Sequence, residues 1–191
     1  MTERALTENA LLMTATNQDA LEAAVREHTR LVYRIAYSVS RNHHDAEDAT
    51  QETFMRVLRY RRKLQGIDDP KRWIARIAWR VAIEQEKKRP ADGQGEKDVA
   101  DAISQLRAGG KTAEELASGG EMSTILEGLI AALPDSLRDA VRLSTLQELL
   151  PGEIAKILET SEASVRSRLF RARQILKDKL RALEAQHGTT R

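Results

Sequence analysis

The chain has 191 residues, of which 41% are hydrophobic, 4% aromatic and 31% charged, with a formal net charge of +2. This composition is sufficient for one or two packed domains, and its few aromatic residues favour amphipathic helices over a β-sandwich. The chain has no cysteine and no apolar run of about 18 residues, so we expect no disulfide, no thiolate zinc site and no membrane insertion. Together with the composition, this predicts an all-α protein of the cytoplasm.

The first 90 residues have the periodicity of a small helical bundle. After an N-terminal arm of residues 1–16, Asn17 is expected to cap a helix that stops at Asn42. Asp45 is expected to cap a second helix, and Pro70, which suits a first turn, to begin a third that runs to the sequence EQEKKRP. Apolar residues at helical spacing define the buried faces of the first and third helices: Leu21, Val25, His28, Val32, Ile35 and Val39, then Trp73, Ile74, Ile77, Ala78 and Val81.

The second helix is predicted to have an apolar face and a polar face when its residues are placed about 100° apart. The apolar face carries Ala46, Thr50, Phe54 and Val57. The polar face carries Asp48, Glu52, Met55 and Arg59, with Gln51 at its margin. A solvated surface and a protein-binding surface both account for this polar face.

Residues 91–124 have the composition of an interdomain linker. Six of the ten glycines fall here, including two GG pairs, and the segment is acidic, with seven Asp/Glu against three Lys/Arg. Glycine is a strong helix breaker. We therefore expect a flexible linker between two small helical domains, at residues 17–90 and 125–185, with a tail at 186–191.

The second domain is predicted to contain a helix-turn-helix. Short helices are expected at residues 125–133, 136–146 and 151–158. The turn ETSE follows, and a long basic helix is expected from Glu162 to Leu183, with Ser161 as its N-cap. A short helix, a turn of three or four residues and a longer basic helix is the arrangement of a helix-turn-helix.

The long basic helix, SEASVRSRLFRARQILKDKL at its start, has seven Lys/Arg and two Asp/Glu between residues 161 and 183. Its apolar stripe contains Val165, Leu169, Ala172, Leu176 and Leu183. The opposite arc contains Ala163, Arg166, Ser167, Phe170, Arg171 and Gln174, with Arg168 and Arg173 on its flanks. A solvated face explains the arginines but not Phe170, for which contact with a neighbouring helix is the alternative to contact with a base edge.

Two parts of the sequence resemble the extracytoplasmic-function (ECF) sigma factors of bacteria. ALPDSLRDAVRLSTLQELLPGEIAKILETSEASVRSRLFRARQIL resembles their region 4. DAEDATQETFMRVLRY followed by WIARIAWRVAI, with LVYRIAYSV before them, resembles region 2. The resemblance covers about 130 residues, in the family order and with a linker between the two parts.

The resemblance implies a transcription initiation factor without catalytic activity or cofactor. Such a protein binds the β′ clamp helices and the β flap of core RNA polymerase, directs the polymerase to a promoter and is typically controlled by an anti-sigma factor. Region 4 reads the minus-thirty-five element, and the matching positions here are Ala163, Ser164, Arg166, Ser167, Phe170, Arg171, Arg173 and Gln174. Of these, Arg166, Ser167, Phe170 and Arg171 would face bases, whereas Arg168 and Arg173 are assigned to phosphates, polymerase or helix packing.

Region 2 of the family binds the clamp helices and opens the minus-ten element. The core-binding positions implied here are Asp48, Gln51, Glu52 and Met55. The segment 63–72 falls where the family captures a flipped base, and the implied minus-ten contacts are Lys63, Lys71, Arg72, Trp73, Arg76 and Arg80. Stacking and neutralisation of phosphates hold a single strand in this way, with core packing as the alternative role of Trp73.

Several positions differ from the usual family pattern: Arg80, Glu159, the two acids in the exit EQEKKRP, and Leu150, Pro151 and Gly152 at the start of the predicted helix 151–158. Arg80 stands where many members have asparagine, which leaves the base preference of region 2 open. Glu159 replaces the common turn glycine; we accept it because this position need not have a positive φ in every helix-turn-helix.

Other classes of function were weighed against the initiation factor. The sequence NHHDAED offers His43, His44, Asp45, Glu47 and Asp48 as metal ligands, but without the ligand spacing of helical metal sites. No P-loop, GxSxG motif or nucleophilic cysteine is present. A stand-alone helix-turn-helix regulator and a sigma mimic that occupies an anti-sigma factor remain as alternatives, each of which would require only one of the two predicted surfaces.

Overall fold

The computed structural model describes residues 22–60, 66–88, 121–146 and 149–188, in which every regular element is an α-helix. The helices are α1 (22–40), α2 (His43–Arg59), α3 (Pro70–Lys88), α4 (Glu121–Ala131), α5 (Asp135–Ser144), α6 (Pro151–Ile157) and α7 (Glu162–Gly188). The predicted all-α class is confirmed. Several predicted features lie outside the described residues: the N-terminal arm, Asn17, Leu21, Lys63 and linker residues 91–120.

The helices belong to two compact units. The first contains α1, α2, α3 and α6, and the second contains α4, α5 and α7. Residues 146–160, expected within the domain at 125–185, group with the first unit. Helix α4 also begins within the segment assigned to the linker, because Glu121 is already helical.

Small side chains allow α1, α2 and α3 to pack closely in the first unit. A buried cluster joins the three helices at Ala36, Ala46, Ala49 and Val81, with Tyr33, Tyr37 and Ile77 packed against it. Alanine has no side chain beyond Cβ, so the helix axes can approach closely there. Of the predicted face of α1, His28, Val32, Ile35 and Val39 are buried and Val25 is partly buried.

The start of α2 differs from the prediction. Asn42, with extended backbone angles, accepts a hydrogen bond from the Asp45 N–H at 3.2 Å, so Asn42 is the N-cap. Asp45 is therefore not the cap but a first-turn residue, whose charge suits the helix dipole. The chain reverses at Arg41, which has a φ of 52° and brings Asn42 to the free amides of α2.

The buried face of α2 is rotated from its predicted position. Its buried residues are Ala46, Ala49, Thr53 and Val57, whereas Thr50 and Phe54 are only partly buried. The Thr53 hydroxyl donates to the Ala49 carbonyl at 2.7 Å. This local bond satisfies the hydroxyl and allows a threonine to lie in the core.

Helix α3 buries its predicted residues Ile74, Ala78 and Val81, and in addition Trp79. The predicted residues Trp73 and Ile77 are only partly buried. Its start at Pro70 is confirmed, and the Asp69 carboxylate accepts from the Arg72 N–H at 2.9 Å in the manner of an N-cap.

The second unit is built on the apolar stripe of α7. Val165, Leu169 and Ala172 are buried as predicted and Leu176 is partly buried, whereas the Leu183 side chain lies outside the described residues. Ile125 of α4 and Leu137 and Leu143 of α5 are also buried, and the three helices contact one another. Helix α7 continues past its predicted end to Gly188.

We expect Ser161→Ala to loosen the start of α7. The Ser161 hydroxyl oxygen accepts a hydrogen bond from the Ser164 N–H at 3.1 Å, as predicted for an N-cap. Its loss should cost about 1 kcal/mol and speed amide hydrogen exchange in the first turns of α7 about fivefold. Ser161→Asp, which retains a cap, is the control, and equal exchange rates in the two variants would contradict the role of the cap.

Candidate functional site

The face of α7 opposite its buried stripe is exposed and cationic. Phe170 is 62% exposed, and Arg166 and Arg171 are exposed near it on the same helix. This exposure contradicts the alternative that Phe170 packs against another helix of the described chain. A large apolar side chain held in solvent between cations is available to an acidic partner with apolar groups.

Two contacts within α7 align these arginines along the helix. Arg166 donates to Glu162 Oε1 through Nη2 at 2.6 Å and Nε at 3.0 Å, and Arg171 Nη2 donates to Ser167 Oγ at 3.2 Å. Both contacts join residues four apart and are exposed, so each contributes only a few tenths of a kcal/mol. The guanidinium groups can therefore exchange these partners for phosphates or base edges at little cost.

The remaining predicted α7 residues surround this face. Ala163, Arg173 and Gln174 are exposed, whereas Ser164, Ser167 and Arg168 are partly buried. Glu162 was not among the predicted site residues, although its spacing of four from Arg166 is a signal the sequence contains.

The outward face of α2 carries three of the four predicted core-binding residues in exposed positions. Asp48, Gln51 and Met55 lie three and four residues apart and share one side of the helix. Met55 is 51% exposed. An exposed thioether beside a carboxylate and an amide forms a small mixed surface suited to another protein.

Glu52, the fourth predicted residue, is held within the unit by an ion-pair chain. Arg56 Nε donates to Glu52 Oε1 at 2.7 Å, and Arg56 Nη2 donates to Glu84 Oε2 of α3 at 2.8 Å. The hydrogen bond from Arg56 holds the pKa of Glu84 below its ordinary value, and the two carboxylates raise the pKa of Arg56. Glu52 is therefore less available to a partner than the exposed residues of α2.

A shallow groove of about 550 Å³ lies beside the exposed face of α2. Its lining comes from α1 and α2: Arg26, Thr29, Arg30, Tyr33, Glu47, Thr50 and Gln51. The groove adds Arg26 and Arg30 of α1 to the surface that contains Gln51. The sequence prediction missed both arginines, although their spacing of four places them on one face.

The predicted single-strand face lies on α3, where Trp73, Arg76 and Arg80 are spaced three and four residues apart. Trp73 and Arg76 are partly buried and Arg80 is exposed. Lys71 and Arg72 lie in the first turn of the same helix. Partial burial of Trp73 is compatible with a packing role and with an accessible edge.

Carboxylates contact the cations of α3. Arg72 Nε lies 3.9 Å from Asp69 Oδ2. Lys71 Nζ donates to Glu153 Oε1 at 2.9 Å, and Glu159 Oε1 accepts from Arg76 Nη1 at 3.0 Å and Arg80 Nη2 at 2.7 Å. Glu153 lies in α6 and Glu159 just beyond its end, and the role of both toward α3 was missed because the sequence does not indicate which helix α6 contacts.

Glu159 lies in the left-handed region, with a φ of 53°. The Thr160 N–H donates to the Ala155 carbonyl at 2.9 Å, which is the six-to-one bond of a Schellman motif at the end of α6. The residue at this position must take a positive φ, which explains why glycine is usual there. A positive φ was expected to be optional at this position, and Glu159 adopts it.

The histidine-rich start of α2 forms an aromatic cluster. Tyr33 Oη lies 2.6 Å from His43 Nδ1, and the rings of Tyr37 and His43 are 4.9 Å apart. Within the described ranges, no three His, Asp or Glu side chains come together in a way that could hold a metal ion.

No helix in those same ranges has both the length and the apolarity required to cross a bilayer.

Comparisons with known proteins agree with the two-part arrangement. Residues 24–89 match the family model for Sigma-70 region 2, and residues 123–176 match that for Sigma-70, region 4. The chain is 30% identical over 175 residues to the ECF RNA polymerase sigma factor SigW of Bacillus subtilis (strain 168), an alignment that covers 87% of this chain and 92% of SigW. It is 33% identical over 157 residues to the ECF sigma factor SigE of Mycolicibacterium smegmatis, covering 82% of this chain but 60% of that longer relative.

Solved structures share the fold. The structure of CnrH in complex with the cytosolic domain of CnrY gives a TM-score of 0.59 at 21% identity, covering 91% of this chain and 95% of that one. The sigma factor RpoE of Bartonella quintana, in complex with the anti-sigma factor NepR, gives 0.54 at 20% identity, covering 84% and 96%. Regions 2 and 4 in this order define a protein of the Sigma-70 class. The chain belongs to the ECF family of RNA polymerase sigma factors.

We expect the Arg56–Glu84 pair to make the first unit sensitive to acid. The pKa of Glu84 is lowered in the folded state, so its stabilising effect is present above its ordinary pKa of about 4.5 and is lost as the pH falls through the folded value. Glu84→Gln should lower the free energy of unfolding by up to about 1 kcal/mol at neutral pH, and this difference from wild type should shrink as the pH falls below the ordinary pKa of Glu84.

Tryptophan fluorescence measures this effect selectively, because both tryptophans lie on α3. Glu47→Gln, at an exposed position of α2, is the control. A difference between wild type and Glu84→Gln that persists unchanged in acid would contradict the ion-pair explanation.

Proposed function

We propose that the exposed face of α7 reads the minus-thirty-five element. The observation that carries this proposal is Phe170, exposed between Arg166 and Arg171 on the side away from the buried stripe. Guanidinium groups pair with guanine edges or phosphates, and an apolar ring suits a thymine methyl group. Ala163, Ser164, Ser167, Arg173 and Gln174 border this surface, and Arg168 is proposed to contact phosphate or polymerase.

In the same proposal, α3 binds the nontemplate strand of the minus-ten element. Arg76 and Arg80 neutralise phosphates, Trp73 offers an aromatic edge for stacking, and Lys71 and Arg72 extend the cationic surface. Lys63 belongs to the proposed set and lies outside the described residues. Arg80, where many family members have asparagine, is then a phosphate contact more than a base reader.

The outward face of α2 is proposed to bind the β′ clamp helices of core polymerase. Asp48, Gln51 and Met55 supply the exposed contacts, and the groove beside Gln51 extends the surface towards α1. Glu52 serves mainly to hold Arg56 in place. The β flap is assigned to the region 4 part of the chain.

The chain is proposed to act in the cytoplasm without catalytic activity of its own, since polymerase supplies the chemistry. An anti-sigma factor that covers the polymerase-binding surfaces would control it; the Bartonella quintana neighbour is bound to an anti-sigma factor. A stand-alone regulator would not require the α2 face, and a sigma mimic would not require the α7 face. The presence of both supports the initiation factor over either alternative.

The experiment that tests the whole proposal is reconstituted transcription. The purified chain and core polymerase should produce specific transcripts from a promoter library, and sequencing of RNA starts after overexpression should reveal one shared upstream motif. A folded protein that binds core polymerase but supports no transcript from the library would overturn the proposal.

We expect Arg171→Ala to weaken binding of the minus-thirty-five duplex about tenfold, because one base or phosphate contact contributes about 1–3 kcal/mol. Gel-shift titration measures the duplex affinity, and surface plasmon resonance measures the affinity for core polymerase, which should not change. Lys177→Ala, an exposed cation on the side of α7, is the control and should have a smaller effect. Equal losses of duplex and core affinity would show that the face is misassigned.

We expect Asp48→Lys to reduce the affinity for core polymerase about tenfold. The substitution places a positive charge where the proposed partner would contact a negative one. Binding of the minus-thirty-five duplex should be unaffected. Glu22→Lys makes the same charge change at an exposed position of α1 and serves as the control. An undiminished core affinity in Asp48→Lys would remove α2 from the polymerase surface.

A further inference from the structure

We propose that α6 is an autoinhibitory element that occupies the single-strand face of α3 until minus-ten DNA displaces it. The inference rests on the proposed role of α3 as the nontemplate-strand surface. It adds that the first helix of the predicted helix-turn-helix, together with the turn after it, has a second role, in which Glu153 and Glu159 substitute for DNA phosphates.

The contact of Glu159 with α3 resembles the contact expected of a phosphate. One carboxylate oxygen, Oε1, accepts from both Arg76 and Arg80, which are one turn apart on α3. An anionic oxygen between two guanidinium groups is also the arrangement in which arginines bind a phosphate oxygen. DNA and Glu159 therefore compete for the same donors.

A second carboxylate joins the other end of α6 to the first turn of α3. Glu153 Oε1 accepts from Lys71 Nζ at 2.9 Å, while Oε2 accepts from the Leu150 N–H at 2.7 Å and so caps α6. Burial alone would raise the pKa of Glu153, but the Leu150 N–H and the Lys71 ammonium together hold that pKa below its ordinary value. Glu153 thus remains an anion at neutral pH.

The backbone conformation at Glu159 indicates that its carboxylate has a role in the structure. A residue with a β-carbon in the left-handed region costs about 1 kcal/mol relative to glycine. Within the described residues, this carboxylate forms its ion pairs with Arg76 and Arg80 of α3. The charge therefore serves the contact between the two helices, at a position where glycine would favour the turn.

The strength of the contact suits a reversible inhibitor. The side chains of Arg80 and Glu159 are 57% and 55% exposed, so solvent screens their attraction strongly. The buried Nε of Arg76 has no hydrogen-bond partner within the described residues, so Glu159 satisfies this guanidinium only in part. We expect the inhibition to reduce affinity for the strand severalfold, an amount that a strand with several phosphates can overcome.

The first test measures strand binding by the full-length protein. The probe is a fluorescein-labelled nontemplate strand that spans the minus-ten element of a promoter identified by RNA start sequencing, and its anisotropy reports binding. Glu159→Asn removes the charge with a residue that tolerates a positive φ, and it should bind the probe about three- to tenfold more tightly than wild type. Glu22→Gln removes one negative charge from an exposed position of α1 and is the control for net charge.

Equal gains in Glu159→Asn and Glu22→Gln, or no gain in either, would overturn the autoinhibitory role. Arg76→Ala separates this failure from failure of the proposed function. If Arg76→Ala weakens strand binding while Glu159→Asn matches wild type, the inhibition is absent and α3 remains the strand face. If Arg76→Ala leaves strand binding unchanged, α3 is not the strand face and both proposals are overturned.

The second test follows the movement of α6 directly. The chain has no cysteine, so nitroxide labels can be placed only at Lys87→Cys on α3 and Lys156→Cys on α6, both exposed positions. Pulsed electron paramagnetic resonance should give one narrow distance distribution in the free protein, and a longer or broader one with the saturating strand. A distribution unaltered by the bound strand would contradict displacement of α6.

Discussion

The close approach of α1, α2 and α3 is the constraint on which the surfaces of the first unit depend. The helices meet at Ala36, Ala46, Ala49 and Val81, where no long side chain separates them. Because small residues occupy the inward face of α2, its longer residues must project outward. This exposes Met55 beside Asp48 and Gln51. The inward position of Trp79 on α3 likewise leaves the opposite side of that helix to cations.

The proposed DNA-contacting cations share a second property, which is that their present partners are weak. On α7 the partners are Glu162 and Ser167 of the same helix, and on α3 they are carboxylates of α6, of its flanking turn and of Asp69. Exposed ion pairs contribute little to stability, although they hold long side chains in one geometry. A promoter, which offers many phosphates in a fixed array, can replace several such partners together.

The prediction from sequence was most accurate where one helix contains its own signal. The stripe of Val165, Leu169 and Ala172 and the Ser161 cap of α7 were predicted correctly, because periodicity and capping are local. Errors arose where two local signals competed. Asn42 and Asp45 are both good caps, and the chain reversal at Arg41 selected Asn42, while burial of Ala49 and Thr53 rotated the predicted face of α2.

The sequence by itself determined the all-helical class, the order of the two regions and the set of residues available to each surface, since these follow from periodicity, capping and motif. Only the tertiary structure decided which charges meet. Glu84 pairs with Arg56 across a separation of 28 residues, and Glu159 meets Arg80 and Arg76 across 79 and 83. Such contacts depend on which helix packs on which, and on the left-handed turn that directs the Glu159 side chain to α3. No local sequence pattern specifies the packing of the helices or the direction of the Glu159 side chain, because each carboxylate and its arginine partner lie on different elements.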